Sequence, residues 1–547
     1  MSLRRDIYQA LEDIVGPEYA LVDEPFLDSY AFQWGTELFR PNGNKFMPRP
    51  EAVLLPGSAG EVQAIARVCN KHKIKYKAFS TGWSVYAAPY TEGQILLDMR
   101  RLDRILDIDE KNMFAVIEPN VIGATLQAEA MKVGLNTHII GSGCVSSPLA
   151  AATSFLGHGP DSLFMGQAAE NLLAAEWVLP TGDIVRTGSL GAGIGWFCGD
   201  GPGPSVRAII RGGSGARGAL GVFTKCAVKL YPWPGPAQLP VEGTIPAYHS
   251  PLPPQIKAYT IAFPDWGAYA DAHYKIYDAE IGYILHRQYN KLGEDLGPAF
   301  FMMYIDPTKT IDDLEEMLER PEIKKLTEEM RVSTQIVLCG MTQGDIAWQE
   351  RALGEILAET GGWKVAAMSD PMMEKFTLLY LIRLGFKGLN MVFSGGYRGS
   401  FSQKGTPDFA VGYRAQAASV LAKHQKTGLI VEAGGDSMMG PGGGMGGGGH
   451  IGFEQFCFYD PSDLASINAA LDYFEDAARE AKRLGLTSGY EARIFEARLT
   501  EQEKRTAFLS APQPALYRYQ RQIKDIFDPN DLGDDQYAVM PKDRKGA

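Results

Sequence analysis

The sequence predicts an α+β protein: two α/β subdomains in succession, then a further α+β domain. Three observations carry this. Between Arg49 and Pro236, short apolar runs alternate with stretches of helical spacing. Prolines then interrupt every periodic pattern in YPWPGPAQLPVEG and SPLPPQIKAY, and downstream the chain mixes strands and helices in a different order. At 547 residues it is also too long for one core, since single cores rarely grow past about 250–300 residues.

The first apolar run, Ala52 to Leu55, reads as a strand. A helix follows, because Val62, Ile65, Ala66 and Cys69 share one face; Ser58 or Gly60 can start it and Lys71 to Lys73 suit its negative end. A second strand, Ile74 to Phe79, opens straight into Ser80, Thr81, Gly82, Trp83, Ser84 and Val85. Small residues there let backbone N–H groups point at an anion, the requirement for holding a pyrophosphate without many lysines; a plain turn uses the same residues. QILLDM and MFAVIEP read as strands paired around a polar turn, and IGATLQAEAMKVG as an amphipathic helix ending at Gly134. EWVLPTGDIVRTG reads as a hairpin turning at Thr181, Gly182 and Asp183, and GARGALGVF then leads into a last apolar strand. No strand is followed by G-x-G-x-x-G opening a helix with an acidic residue about 20 positions later, which argues against a Rossmann dinucleotide domain.

With these segments in this order, the chain resembles the flavin-binding domain of the vanillyl-alcohol oxidase and p-cresol methylhydroxylase superfamily, the FAD-linked oxidases of type 4. The resemblance covers the N-terminal half well and the C-terminal half more loosely. It implies a PCMH-type FAD-binding domain over 1–237 with its core at about 46–235, a cap domain for the substrate over 238–510, and a segment at 511–547 that returns to the FAD domain. Carried over residue by residue, Ser80 to Val85 stand as the pyrophosphate loop, and Gly141 and Ser142 as the glycine-serine pair that closes on the cofactor. Ser147, Ala150 and Ala151 lie where the family has threonine, isoleucine and two glycines. The run from Gly215 to Phe223 is similar to the family's glycine-serine-glutamate-glycine-threonine-leucine-glycine run: Ala216 and Arg217 replace serine and glutamate, Gly215, Gly218 and Gly221 are kept, and Val222 follows. Relatives with a flavinylated loop carry histidine near the position of Trp83. None of Thr81 to Tyr86 is histidine, so the FAD is expected to be non-covalent, with attachment through His424, His450 or Tyr397 left open.

In the C-terminal half, Ala258 to Phe263, Ala299 to Tyr304 and Thr334 to Cys339 read as strands; Thr310 to Glu319, Asp345 to Glu359 and Pro371 to Arg383 read as helices. A dense glycine run then ends at His450, from which residues alternate so that His450 and Glu454 share a face. This region resembles the one where glycolate, D-lactate and D-2-hydroxyglutarate dehydrogenases of the superfamily carry a histidine-glycine-aspartate-glycine-asparagine-histidine motif that holds a metal in some of them. Here Phe453 replaces the acidic residue and Cys457 the second histidine, so no metal is expected. Ser462 to Leu484 reads as a scaffold helix whose exit delivers Gly489, Tyr490, Glu491 and Arg493. That exit resembles the phenol-oxidising branch, whose tyrosine and arginine hold a phenolate. Arg493 is charged at every working pH and suits a phenolate or a carboxylate; pairing with Glu491 or Glu496 is its plain alternative. In the tail, Tyr517, Tyr519 and Lys524 are candidates to approach the flavin ring.

The expected activity is FAD-dependent hydride removal from a 2-hydroxy acid, with His450 taking the hydroxyl proton and Arg493 gripping the carboxylate. The N-terminal entry IVGPEYALVDEPFLDSY resembles that branch. Oxidation of a 4-alkylphenol or aromatic alcohol is the alternative, and a flavin electron-transfer subunit without substrate chemistry the second. The net charge of −12 excludes nucleic acid, whose phosphates need clustered Lys and Arg. No apolar run reaches the roughly 18 residues of a membrane span, and the N-terminus lacks the apolar core of a secretory signal, so a cytoplasmic location is expected. The cysteines are far apart and form no C-x-x-C pair, which argues against an iron–sulfur cluster. A small-molecule substrate, an electron-transfer protein partner and a homo-oligomer complete the expectations.

Overall fold

The computed structural model describes most of residues 3–287, with 320–381, 396–432, 438–441, 451–484, 514–542 and isolated residues at 308–319 and 503–509. Within those spans, 34, 41–42, 83–86, 141–142, 155–156, 158, 202–203, 211–215, 241, 243–249, 370, 372, 375–376, 379–380 and 535–538 fall outside the described set.

The first sheet contains β1 (Ala20–Leu21), β2 (Ala52–Leu54), β3 (Tyr76–Phe79) and β4 (Ile95–Asp98), in the order β1-β2-β4-β3. β4 is parallel to both β2 and β3, and β1 is an antiparallel edge. Parallel strands need a crossover, and the helix Ala59–His72 provides it, burying the expected face of Val62, Ile65, Ala66 and Cys69. Ser58 is its N-cap: the side chain accepts from the Glu61 N–H at 3.1 Å, an interaction worth about 1 kcal/mol.

The second sheet begins at β5 (Ile105–Asp109) and β6 (Phe114–Ile117). β7 (Leu135–Asn136), β8 (Leu172–Val178), β9 (Ile184–Arg186), β10 (Val222–Lys229) and β11 (Tyr231–Pro232) follow. Its antiparallel order is β5-β6-β10-β8-β9, with β7 and β11 forming a separate pair. The expected hairpin at 176–188 is the β8–β9 turn. The expected pairing of QILLDM with MFAVIEP is not: β4 is interior to the first sheet and β6 pairs with β5 and β10 in the second. Both strands are fully buried and, apart from Asp98 at the end of β4, apolar, and such runs carry no alternation from which a partner can be read.

A third sheet contains β12 (Ile256–Ala262), β13 (Ile284–His286), β14 (Ser333–Cys339) and β15 (Trp363–Lys364), in the order β13-β14-β12-β15. Helices Trp266–Asp278 and Gln343–Thr360 share a core with Ile261, Leu285, Ile336 and Leu338 on one face. The other face, through Ile256, Ile284 and Val337, packs on Met131, Met165 and Trp233 of the preceding half. A fourth sheet surrounds β19 (Ile451–Tyr459), which pairs with β16 (Gly396–Gly405), β17 (Ile430–Glu432) and β18 (Met438–Pro441). The expected helix at 462–484 is observed over Leu464–Arg483, and the expected strand at 299–304 lies outside the described residues.

The chain end then returns to the first two sheets. Helix Pro514–Phe527 brings in Lys524, which is fully buried. Its ammonium donates to the Ala219 carbonyl at 2.8 Å, the Gly533 carbonyl at 2.9 Å and the Asp528 carboxylate at 3.1 Å. Asp528 in turn accepts the N–H groups of Leu532 and Gly533. Residues 532–534 bond Tyr76 on the edge strand β3, which sets Gly533 against the loop at 218–219. A Cβ on Gly533 would lie 2.5 Å from the Gly218 oxygen, so no larger residue fits without moving that loop.

Lys524→Met strands a buried carboxylate and two carbonyls, and it is expected to cost about 3–5 kcal/mol in urea unfolding, against less than ~0.5 kcal/mol for exposed Arg518→Ala. Burial opposes ionisation of the neighbouring Asp531, but Lys524, Arg521 and Lys75 outweigh it and hold its carboxyl below the ordinary value. Its stabilisation is therefore complete above the unfolded-state value of about 3.9 and is lost as pH falls through the lower folded value. Asp531→Asn should be less stable at neutral pH and lose less on acidification, measured by urea unfolding from pH 7 down to pH 3.

Candidate cofactor site

Where the first two sheets meet, a partly open, mostly apolar cavity holds about 910 Å³ of empty space. Lys77 and Ala78 of β3, and Ser80, Thr81 and Gly82 beyond it, form one wall. Ser147, Ala150 and Ala151 form a second, on and before the helix Pro148–Thr153. Arg217, Gly218, Gly221 and Phe223 form the third. Eight residues expected to contact the cofactor therefore line one cavity: Ser80, Thr81, Gly82, Ser147, Ala150, Ala151, Gly218 and Gly221.

Local chemistry fixes each wall. Ser147 caps its helix by accepting the Ala150 N–H at 3.1 Å and donates to the Pro119 carbonyl at 2.6 Å. The Ala150 and Ala151 N–H groups are both engaged by Ser147, so these alanines meet the cavity as small side chains rather than as donors. The third wall is held on three sides. Ala216 and Arg217 N–H groups donate to the Thr153 and Ser154 carbonyls, the Trp177 indole donates to the Leu220 carbonyl at 2.8 Å, and Lys524 holds Ala219. Gly221 has φ of 111°, and a Cβ there would stand 2.2 Å from the Val178 oxygen, so the glycine spacing of this run is a packing requirement.

Two lining residues escaped the sequence reading. Arg217 and Lys77 are 4% and 5% exposed, which places two buried cations on the wall of one cavity in a protein of net charge −12. Lys77 interrupts the apolar strand Ile74 to Phe79, and that interruption was the available signal. Arg217 was visible only as a departure from the family's glutamate.

Other expected residues lie elsewhere. Val222 packs in the core with Val178 and Leu532 and does not line the cavity. Neither Lys524 nor Tyr517 nor Tyr519 lines it either: Lys524 reaches the site only through the Ala219 carbonyl, and Tyr519 is 63% exposed. His424 is bonded to Asp476 at 2.9 Å between two helices of the C-terminal half. Glu454 stands in β19 opposite Phe401. Trp83, Ser84, Val85, Gly141, Ser142, Gly215, His450, Tyr490, Glu491 and Arg493 lie outside the described residues. None of the six cysteines forms a disulfide. Among the described residues no helix is long and apolar enough to cross a membrane.

Residues 50–188, which build two of the three cavity walls, match the family model described as FAD binding domain. This stretch of the chain is similar to the FAD-linked oxidases. Among curated relatives, the glycolate oxidase subunit GlcD of Bacillus subtilis is 26% identical over 234 residues, 42% of this chain and 46% of that protein. The 4-cresol dehydrogenase [hydroxylating] flavoprotein subunit of Pseudomonas putida is 27% identical over 201 residues, 34% of this chain and 36% of that protein. The chain thus aligns with less than half the length of these relatives. In shape the likeness is longer: p-cresol methylhydroxylase with substrate bound superposes with a TM-score of 0.70 at 16% identity, covering 96% of this chain and 94% of that one. The fold is therefore of the PCMH type throughout.

The walls suit FAD, since two buried cations can face a pyrophosphate while small residues and left-handed glycines let the backbone approach. Losing one charge-assisted contact costs about 1.5–3 kcal/mol, roughly 10- to 100-fold in affinity. Arg217→Ala should weaken FAD binding by that factor when apoprotein is titrated with FAD and followed by flavin fluorescence.

Proposed function

We propose that this protein is an FAD-dependent oxidoreductase that takes hydride from a small organic donor, a 2-hydroxy acid. The observation that carries the reading is the cavity: the three segments expected from sequence to hold FAD converge on one space with Lys77 and Arg217 in its wall. FAD, when bound, supplies the hydride acceptor. The protein's part is to hold FAD without a covalent bond through Ser80–Gly82, Ser147–Ala151 and Arg217–Gly221, to grip the donor, and to receive one proton. In this reading Arg493 binds the donor carboxylate and His450 accepts the hydroxyl proton, with Glu454, Tyr490 and Glu491 beside them. The division into an FAD domain at 1–237, a cap at 238–510 and a returning segment at 511–547 belongs to the same proposal. The match to a glycolate oxidase subunit supports the hydroxy-acid donor.

A second reading, oxidation of a 4-alkylphenol, is favoured by the Tyr490 to Arg493 pattern and by the similarity to a 4-cresol dehydrogenase flavoprotein subunit. There Arg493 would hold a phenolate. Both relatives carry the word subunit in their names, which supports an electron-transfer protein as the partner that reoxidises the enzyme.

Anaerobic addition of 2-hydroxy acids is expected to bleach the visible flavin bands, whereas bleaching by 4-alkylphenols alone would select the second reading. Bands that no donor bleaches would overturn both. His450→Ala should keep bound FAD and lose at least about 100-fold in the bleaching rate, the usual scale of a lost general base. Yellow colour that stays with the denatured protein would refute non-covalent attachment.

A further inference from the structure

Beside the cofactor cavity lies a second, much smaller one, and a buried histidine opens onto it. It offers about 20 Å³ to the centre of a water molecule, which is room for one water. Ile140, Ser146 and Ala151 line both cavities, so one layer of residues separates them. His138 stands in its wall, 6% exposed, with Nδ1 at 2.7 Å from the carboxylate of Asp161, itself 3% exposed. The second oxygen of Asp161 accepts the Ile139 N–H at 3.0 Å, which fixes the carboxylate in the plane it offers to the ring.

An ionised carboxylate only accepts, so Nδ1 donates to Asp161, and whenever the ring is neutral Nε2 carries its lone pair. That Nε2 is buried and has no hydrogen-bond partner among the described residues. Asn171, the amide in the same wall, cannot serve it: its NH₂ donates to the Met165 and Gln167 carbonyls, and its oxygen accepts from Tyr231. Ser146 donates to the Gly143 carbonyl at 2.6 Å and keeps lone pairs free to accept from a water.

We propose that His138, held by Asp161, is the proton-storing group of the cofactor site, taking up one proton at Nε2 when the neighbouring cavity gains negative charge on reduction. The inference rests on the oxidoreductase reading above. In that reading the hydroxyl proton of the donor goes to His450, so a proton stored at His138 would be a second one, answering the charge that bound FAD would gain on reduction. The reduced cofactor carries more negative charge than the oxidised one, and across one layer of side chains, in a poorly screened interior, that charge favours an imidazolium. Ser146 and His138 line the same small cavity, which has room for one water to carry the proton. The imidazolium left at the end is neutralised by Asp161, so no unpaired charge is buried.

Tyr231 faces Asp161 from β11, and Tyr283 faces it from the cap; burial first, and the nearby acids with it, raise both hydroxyls far above their usual range, so both stay neutral. Glu170 lies behind Tyr231. Lys77 and Arg217 line the cofactor cavity but not the smaller one.

The test counts protons. FAD-loaded protein is reduced electrochemically near pH 7 in weakly buffered solution, and proton uptake per two electrons is read with an indicator dye. Wild type is expected to take up as much as one proton more than His138→Gln, and Asp161→Asn should lose part of that difference. Equal counts in wild type and His138→Gln, with FAD bound and reducible in both, would overturn the proposal while leaving the oxidoreductase reading intact. Failure of the wild type to bind FAD at all would overturn both. Should His138→Gln not fold, wild-type protein with ¹³C-labelled histidines supplies the same answer: one buried imidazole should become protonated on reduction, and its absence would overturn the inference.

Discussion

The Lys524 ammonium is the contact on which the rest of the site depends. Buried out of water, it needs several acceptors, and it finds them on both sides of a seam: Ala219 in the third wall of the cofactor cavity, and Asp528 and Gly533 in the chain end. The sequence separation of 305 residues between Lys524 and Ala219 means that the wall is completed only after nearly the whole chain has folded. Residues 50–188, the part that matches the FAD binding domain family, supply two walls. The third is held in register by Trp177, by the 148–153 helix and by the tail, so cofactor binding and docking of the tail draw on one set of hydrogen bonds.

How legible this was in the sequence depended on whether the signal was local. The Ser58 cap, the apolar face of Val62 to Cys69 and the Thr181–Asp183 turn are written in a few neighbouring residues and appear as expected. The loop at 80–82, the helix start at Ser147 and the glycines of 218–221 were legible through the order in which they follow one another, since each alone could equally be a plain turn. Strand pairing was not: β4 and β6 are both fully buried, and their partners are decided by sheet packing at long range. Lys77 and Arg217 were missed for a related reason, since a cation in a strand or glycine run reads as solvent-facing until the fold closes over it. The placement of Lys524 was read as possible proximity to the flavin, whereas the structure gives it carbonyls to hold. Glu454 is the one member of the expected substrate group whose backbone is described, and neither spacing nor strand register fixes where a side chain reaches.

The electrostatics of the cavity differ from those of the whole. A net charge of −12 repels an anionic cofactor at long range, but salt screens that field over about 8 Å, so the local walls decide binding. Two buried cations in a poorly screened space therefore count for more than the surplus of surface carboxylates. Arg217 is held where it is by backbone: its N–H is fixed to Ser154, and φ of 43° turns the chain between flanking residues that are themselves pinned. Such strain is tolerated in a loop fixed from three sides and would not be in a free one.

The same reasoning applies to the seam between the cofactor half and the third sheet. Segment 157–166 lies in that seam: Pro160 accepts the Leu285 N–H of β13 at 3.0 Å, Asp161 holds His138, and Leu163 joins the core of the third sheet. Close by, Asn136 accepts from Gln127 and donates to the Tyr283 hydroxyl, so a buried polar chain crosses from one half to the other. Buried polar groups that are fully paired tie two surfaces at one registration, because sliding either half would strand them. The His138–Asp161 pair sits on the fixed side of that seam and at the wall of the cofactor cavity. The contacts that register the two halves therefore also hold this pair in place at the cavity wall.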